Sequence, residues 1–507
     1  MYYFRCLALL AMAVVFTACP RPKNKPGSKP NPSPTGDEQV FNTADPASVY
    51  DSLVDLRRKT LKKLGYQAGR AGEAVYEIDH YSLIYENDQI NNITQDSIEM
   101  VRAYGNRFEE VKRCGCGDVQ ILLWKVDSIG GNERGKNGKN NVTSTIGKED
   151  SGVAPNYFVL PELPNQANLA RAFAALPKGY SPSVKHPADK DPVTVAILDS
   201  GIDIALEGHP SATQAPIYFW QNPAEPVVDG KAGKGDAFCF TDDVIGWDFV
   251  NEDNNPTDDN SHGTHVAGIV AHQLHQNAPN VPYEFMSVKI LDENGVGTNF
   301  DAMCGILYAA SNGADVINAS WGFYGGPDDH LRRAIRWAHN RQVAISTSAG
   351  NDRVDIAQTL HFPAEYGTAD SLFIPNVAFV GGLGNGTQLW KGTNIRTEGF
   401  GQDGFVAAPA QNIRSLIPLH LSTAGLSDRK SGTSMAAPRL TALLASYRYF
   451  RPQDRVRVMK HNTLQLILLS NPIQSFQSNG VTYPYYPFDW LDIPTQYAKY
   501  SGQMRTN

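Results

Sequence analysis

The 507-residue chain holds no apolar run approaching the roughly 20 residues that span a bilayer, which argues against a multi-span membrane protein. Positive charge is not in excess either: 45 Lys and Arg stand against 52 Asp and Glu, a formal net charge of -7. Without a basic footprint, nucleic acid is not an expected partner. Cysteine is scarce at six residues, and no disulfide framework is evident. Cys114-Gly115-Cys116 is too tightly spaced for an ordinary bridge, and no His or second Cys pair stands near it at zinc-ligand spacing. Free, partly buried thiols are the plain expectation, with a Cys239 to Cys304 bridge left open. What is present is ordinary for a soluble enzyme: 41% hydrophobic and 19% charged residues. The length suits one large catalytic domain with smaller flanking pieces.

The N-terminus carries Arg5 before the apolar run Leu7 to Phe16, then Thr17-Ala18-Cys19, an arrangement that reads as an export signal over residues 1–18. Phe16-Thr17-Ala18-Cys19 resembles the lipobox of bacterial lipoproteins, which implies Cys19 as an acylated first residue and an anchor in a bacterial envelope membrane, the outer membrane first. A plain signal peptide with an incidental cysteine is the alternative. Residues 19–45 are rich in Pro, Lys, Asn and Ser and read as an extended, solvated tether.

Residues 46–164 read as a small α+β domain. Val49, Leu53, Leu56 and Leu64 predict an amphipathic helix from Pro46 to Leu64. A strand is expected over Val75 to Tyr85, a helix opened by Asp96 with Glu99 at capping-box spacing, and strands over Val119 to Val126 and Val153 to Leu160. A polar Gly- and Lys-rich loop is expected from Ile129 to Gly152. Over 185–470 the pattern changes to short β-branched runs alternating with helical stretches. Strands are predicted at Val193 to Leu198, Val316 to Ala319, Val343 to Ser346 and Val377 to Val380. Helices are predicted at His262 to His275, Asn299 to Asn312, Asp328 to Asn340 and Ser434 to Tyr447. This alternation implies an α/β fold, a doubly wound parallel sheet with helices on both faces and ligands beyond the strands' carboxyl ends. Residues 471–507 form a Tyr- and Pro-rich extension with no assigned role.

Three segments could carry chemistry. Asp199 ends an apolar strand and is turned off by Ser200-Gly201; alone it would read as an Asx-turn residue. His262 opens a helix with His265 three residues on. A helical zinc hydrolase wants His-Glu-x-x-His, and Gly263-Thr264 stand between these histidines instead, so His262 suits a base while His265 packs internally. Ser434 sits among small residues at a helix start, with Pro438 expected in the first turn; alone it would be a cap. Taken together they make a nucleophile, a base and an orienting carboxylate.

Asp-Ser-Gly at 199–201, His-Gly-Thr-His-Val-Ala-Gly at 262–268 and Gly-Thr-Ser-Met-Ala-Ala-Pro at 432–438 resemble the three active-site signatures of the subtilisin-like serine proteases, in that family's order. The resemblance runs from about Asp191 to Arg448. It implies a serine endopeptidase with Asp199, His262 and Ser434 as triad, acting on protein or peptide substrates through an acyl-enzyme. Ser346 to Asn351 matches the segment that carries that family's oxyanion asparagine, which implies this role for Asn351. Gly295-Val296-Gly297 and Ser320-Trp321-Gly322 match the two stretches that flank bound peptide, with Trp321 at a pocket and Asp352 at the rim of the specificity pocket, favouring a basic residue. No metal or cofactor is required for the chemistry. Calcium is common in the family, but the acidic stretch Glu252 to Asp259 matches no calcium template and reads as a solvated loop.

Ala408-Pro409-Ala410 and Arg439-Leu440-Thr441-Ala442 depart from the family pattern outside the reacting groups. Val153-Ala154-Pro155-Asn156-Tyr157 is similar to the end of many propeptides of the family. That implies an inhibitory prodomain cut between Asn165 and Lys185; a permanent interaction domain is the competing reading. A non-catalytic peptide-binding lipoprotein, or a ligase of the same fold, also stays open, and oligomeric state is not legible.

Overall fold

A computed structural model describes residues 46–504, apart from 72–73, 116–117, 128–152, 162–173, 188–189, 210–214, 232, 234–237, 369–371, 398–404, 423–424 and 479–480. The signal segment, Cys19, the tether and the loop expected from Ile129 to Gly152 lie outside the described residues.

The N-terminal part opens with α1 (Pro46–Lys63), whose buried line is Val54, Arg57 and Leu61. Leu56, expected on the apolar side, is exposed instead, because an arginine with a buried partner occupies the seam. Strands β1 (Ala68–Ala71) and β2 (Ala74–Glu86) form a hairpin, and α2 (Ile93–Tyr104) follows. The helix starts three residues before Asp96, continuing a tight 3-10 stretch over Asn87–Asn92. Asp96 is therefore no cap, and its buried carboxylate accepts from Tyr85 Oη at 2.8 Å. Strands β3 (Phe108–Cys114), β4 (Val119–Val126) and β5 (Val153–Val159) complete an antiparallel sheet ordered β3-β4-β2-β5. Alternation gives its two faces different partners. Tyr81, Leu83, Tyr85, Leu122 and Trp124 pack under α2, whereas Ile84, Ile121 and Leu123 join a core shared with the larger unit.

That larger unit is built on a nine-stranded sheet, with two short antiparallel pairs outside it, β11 (Phe323–Tyr324) with β13 (His361–Phe362) and β16 (Ile413–Leu416) with β17 (Ser427–Lys430). The main sheet's first strand in the chain, β6 (Val193–Asp199), lies third from one edge, flanked by β8 (Tyr283–Lys289) and β10 (Val316–Ala319). Beyond β8 lies β7 (Gly246–Asp248); beyond β10 come β12 (Ala344–Ser348), β14 (Val377–Leu383) and β15 (Val406–Pro409), all parallel. One face is covered by α3 (His262–Asn277) and α6 (Thr433–Phe450), the other by α4 (Asn299–Ser311) and α5 (Asp329–Asn340). Within β6, Val193, Val195 and Ile197 face α3 and α6 while Ala196 and Leu198 face α4, so both faces are apolar and the strand reads as one hydrophobic run. The expected doubly wound α/β fold is what forms.

The sheet does not stop near residue 470. A helix, α7 (Val456–Ser470), leads into β18 (Gln474–Ser478) and β19 (Val481–Pro487), and β19 pairs parallel with β15 before α8 (Ile493–Tyr500). The extension thus supplies an edge of the main sheet, and Phe488, Leu491 and Ile493 enter the α3–α6 core. Among the described residues no helix is long and apolar enough to cross a membrane.

The free-thiol expectation is overturned: Cys114, ending β3, is bonded to Cys304 on α4, and Cys239 is disulfide-bonded as well. Two chain segments 190 residues apart meet there, a proximity no local spacing reveals. Phe488 is 3% exposed and its N-H donates to Ala407 O at 2.9 Å. Replacing it with Ala should therefore cost about 3–5 kcal/mol, the range for truncating a buried phenylalanine, read as a lower midpoint in chemical denaturation.

Candidate active site

The site forms where β6, β10 and β12 end, beyond the sheet's carboxyl edge. Asp199 closes β6 fully buried, and its Oδ1 lies 2.7 Å from His262 Nδ1 while accepting from Ser200 N at 2.8 Å. His262 is the first residue of α3, and two devices bring that helix start against the strand end. One is Gly263: a Cβ there would lie 2.2 Å from Gly201 O and 3.2 Å from Asp199 Cβ, so only glycine permits the approach. The other is Asp258, fully buried, whose Oδ1 accepts from Ser200 Oγ, Asn260 N and Ser261 N and whose Oδ2 accepts from Thr264 N, all at 2.8–3.0 Å. It satisfies backbone donors at the helix start that Ser261, with φ of 89°, does not cap.

The acidic stretch is therefore only in part a solvated loop: Glu252 is exposed, whereas Asp258 is buried. Asp259 pairs at 2.7 Å with buried Lys289, whose ammonium also donates to Ser200 O and Leu291 O. The neighbouring carboxylates Asp259 and Asp248 raise the Lys289 pKa against the opposing effect of burial, so the lysine stays charged. With Asp258 committed to chain donors and Asp259 to an ammonium, these groups do not fit a calcium ion. Among the described residues no cluster of three or more His, Cys, Asp or Glu is arranged to hold a metal.

His265 packs internally, as expected: Nε2 lies 3.0 Å from Ile413 O and 3.3 Å from Asp428 O. Burial, aided by Lys430 and His262, pushes its pKa down to about 3.

Asn351 follows β12 through Gly350, whose φ of +100° and N-H bond to Thr433 Oγ1 at 3.1 Å set the turn. Its amide orientation is imposed by Thr433: N and Oγ1 of that residue both donate to Asn351 Oδ1 at 2.8 Å. The amide nitrogen is left facing the cleft, where it donates to Pro161 O at 3.2 Å. Ser434, the second residue of α6 and 2% exposed, has its Oγ 3.5 Å from the same carbonyl and donates to Ser320 O at 3.1 Å. Pro438 is the sixth residue of α6, not in its first turn. Having no N-H, it cannot satisfy Ser434 O four residues back, and Ser320 Oγ does so instead at 3.1 Å.

Both expected flanking stretches hold a strand, and the strand belongs to this chain. Phe158 and Val159 pair antiparallel with Thr298 and Gly297 of the two-residue β9. Leu160 exchanges both backbone hydrogen bonds with Gly322, at 2.9 and 3.0 Å. Val296 is buried against Phe158 and Leu160. Gly295, with φ of +72°, turns the loop ahead of it. Trp321 is fully buried in the core beside Ala319 and Phe323 and stands at no exposed rim. Asp352 is likewise covered: its Oδ2 accepts from Arg57 Nη2 at 2.9 Å and from Tyr324 Oη at 2.6 Å, and the guanidinium lies 4.8 Å from the Tyr324 ring centre. Across the cleft Tyr66 Oη donates to Asp292 and accepts from Asn294 Nδ2. The departures are local: Ala410 O accepts from Gly432 N at 2.8 Å, and Arg439 pairs with Asp489 of the C-terminal extension.

The profile of the subtilase family matches residues 190–483, more than half of the sequence. The chain belongs to the subtilase family. Among relatives of this subtilase, a thermophilic serine proteinase of Bacillus sp. (strain AK1) is 34% identical over 264 residues, 50% of this chain and 52% of that protein. The chain thus spans about half that relative's length. Thermitase of Thermoactinomyces vulgaris is 33% identical over 233 residues, 44% of this chain and 74% of thermitase. The crystal structure of a cold adapted subtilisin-like serine proteinase aligns with a TM-score of 0.41 and 23% identity, covering 59% of this chain and 89% of that one.

Sequence reasoning left Thr433, Asp258, Arg57 and Pro161 without roles, and placed Ser320 beside bound peptide without its bond to Ser434 O. Thr433 stood inside the serine signature and so could have been found; the others depend on contacts between distant segments. His265 makes a pH prediction. Its folded pKa lies below the ordinary histidine value, so the unfolded chain binds the proton first and stability falls as pH drops from about 6.5 toward 3. A His265→Gln variant should lose less of its thermal midpoint between pH 7 and pH 5 than the parent loses.

Proposed function

We propose that this chain is a serine endopeptidase in which Ser434 is the nucleophile, His262 the base, Asp199 the residue that orients it, and Asn351 an oxyanion donor. The observation that carries the reading is convergence: the Asn351 amide and the Ser434 hydroxyl meet at one peptide carbonyl, and the Asp199–His262 pair lies at the neighbouring strand end. Ser434 Oγ attacks the carbonyl carbon, its proton passes to His262 Nε2, and Asp199 holds Nδ1-H and stabilises the imidazolium. The oxygen gains charge where Asn351 Nδ2 already donates; His262 then protonates the leaving amine, and water hydrolyses the acyl-enzyme. No step calls for a metal or cofactor. Substrate peptide is bound as an added strand between Gly295-Val296-Gly297 and Ser320-Trp321-Gly322, which supplies affinity through backbone bonds common to any sequence.

The N-terminal domain acts as an inhibitory prodomain. Supporting this, β5 already lies as that added strand, with Pro161 O at the oxyanion donor. The bond that follows Pro161 is then the one presented for self-cleavage, upstream of the 165–185 stretch expected from sequence. Asp352 selects a basic side chain next to the scissile bond, and Arg57 occupies that acidic, aromatic seat in the uncut protein. Cys19 is the acylated residue that anchors the exported protein in a bacterial envelope membrane, outer membrane first, supported by the N-terminal apolar run and tether.

Three measurements test the assignments. A fluorophosphonate probe should label the parent and not Ser434→Ala, and only the parent should shorten on storage; equal lengths would reject self-processing. Asn351→Ala should lower kcat by about 10²- to 10³-fold with little change in KM, the loss typical of one oxyanion donor. In peptide profiling of the activated enzyme, arginine should be preferred beside the cut, and Asp352→Asn should reduce that preference by about tenfold or more.

A further inference from the structure

The prodomain reading leaves the disulfides unexplained. Noncovalent contacts at both walls of the cleft hold the N-terminal domain: Arg57 on Asp352, Tyr66 on Asp292 and Asn294, and Lys112 on Asp301 at 3.2 Å. Asn156 Oδ1 and Ser82 Oγ reach the first turns of α4 and α5, through Phe300 N at 3.0 Å and His330 Nδ1 at 3.1 Å. All of these can dissociate once the chain is cut after Pro161. The Cys114–Cys304 disulfide cannot, because it joins the last residue of β3 to the middle of α4, one on each side of the cut; Cys239 is disulfide-bonded too, and the remaining cysteines, Cys6, Cys19 and Cys116, all precede the cut.

We propose that the Cys114–Cys304 disulfide makes the N-terminal domain a tethered inhibitor that self-cleavage alone does not release, and that reduction by a dithiol is the step that frees the cleft. The inference rests on the prodomain reading and adds its regulation. The physical reason is effective concentration. A domain bonded beside its own docking surface sees that surface at roughly millimolar concentration, so a strand with Kd near 1 µM leaves about one cleft in a thousand open, whatever the dilution. In the exchange one thiolate of the dithiol attacks a sulfur of the pair and forms a mixed disulfide. Its second thiol then displaces the protein sulfur, leaving Cys114 and Cys304 as thiols and the dithiol as a cyclic disulfide. Cys114 is 3% exposed and Cys304 fully buried, so the attack requires the β3 end to lift from α4, a motion the cut makes easier by loosening β5.

The test uses full-length protein allowed to cleave itself, with Ser434→Ala as the uncut control. On a gel without reductant the cut parent should run as one joined species, and with dithiothreitol as two fragments. Because Cys239 is also disulfide-bonded, the cut variant carrying both Cys239→Ser and Cys304→Ser should part without reductant. Peptidase activity per molecule should be low and unchanged on hundredfold dilution before dithiothreitol, and should rise tenfold or more on dilution after it. Fragments that separate without reductant in the parent, a variant lacking both Cys239 and Cys304 still joined after cutting, or activity indifferent to reduction would each overturn the tether. Fluorophosphonate labelling separates the two ideas. Absence of labelling in the cut, reduced protein defeats the peptidase reading itself; equal labelling before and after reduction defeats only the tether. Should the variant lacking Cys239 and Cys304 fail to fold, the gel and dilution arms on the parent decide alone.

Discussion

The carboxylate of Asp258 is the contact on which the site rests. It is a buried charge, which is tolerated only when its lone pairs are taken up, and four chain donors take them up. Because those donors come from both the turn after β6 and the start of α3, the same bonds that stabilise the ion fix the distance between strand and helix. Asp199 and His262 are carried on those two elements, and their 2.7 Å separation follows. Removing the Asp258 carboxyl would leave unsatisfied N-H groups around a vacated polar spot, a cost of about 1–3 kcal/mol for each buried donor left unpaired.

On the other wall, Thr433 does for Asn351 what Asp258 does for His262. An asparagine amide has two chemically different ends, and the pair of donors from Thr433 settles which end meets the cleft. The local chain is then repaired: Pro438 interrupts the helix ladder under Ser434, and Ser320 from the adjoining strand end supplies the missing donor. Ser434 thus sits on a helix turn completed by the stretch whose Gly322 pairs with Leu160.

Much of this was legible in the chain. Short β-branched runs located β6, β10, β12 and β14 within a few residues, since strands buried on both faces need no alternation. The signatures around Asp199, His262, Asn351 and Ser434 gave their neighbourhood because small residues must lie where backbones approach. What stayed hidden depends on long-range pairing. The Leu56 placement failed because Arg57 is buried by Asp352, nearly 300 residues away; the thiol expectation failed because β3 docks on α4. The strand β19 was missed because prolines at 484 and 487 argue against a strand, although it pairs with β15 on one side and β18 on the other.

That last strand bears on how the molecule is made. The core of the main sheet pairs Val195 with Val316 and Val406 with Tyr486, so its register closes through very distant partners rather than hairpins. Such topologies collapse slowly and expose apolar strand edges while they wait. Since β19 and the anchors Phe488 and Ile493 follow the rest of the sheet along the chain, β15 lacks that neighbour and the α3–α6 core stays unfilled until they have been synthesised. A nascent chain stalled before them would therefore carry Asp199, His262 and Ser434 without the finished scaffold that aligns them.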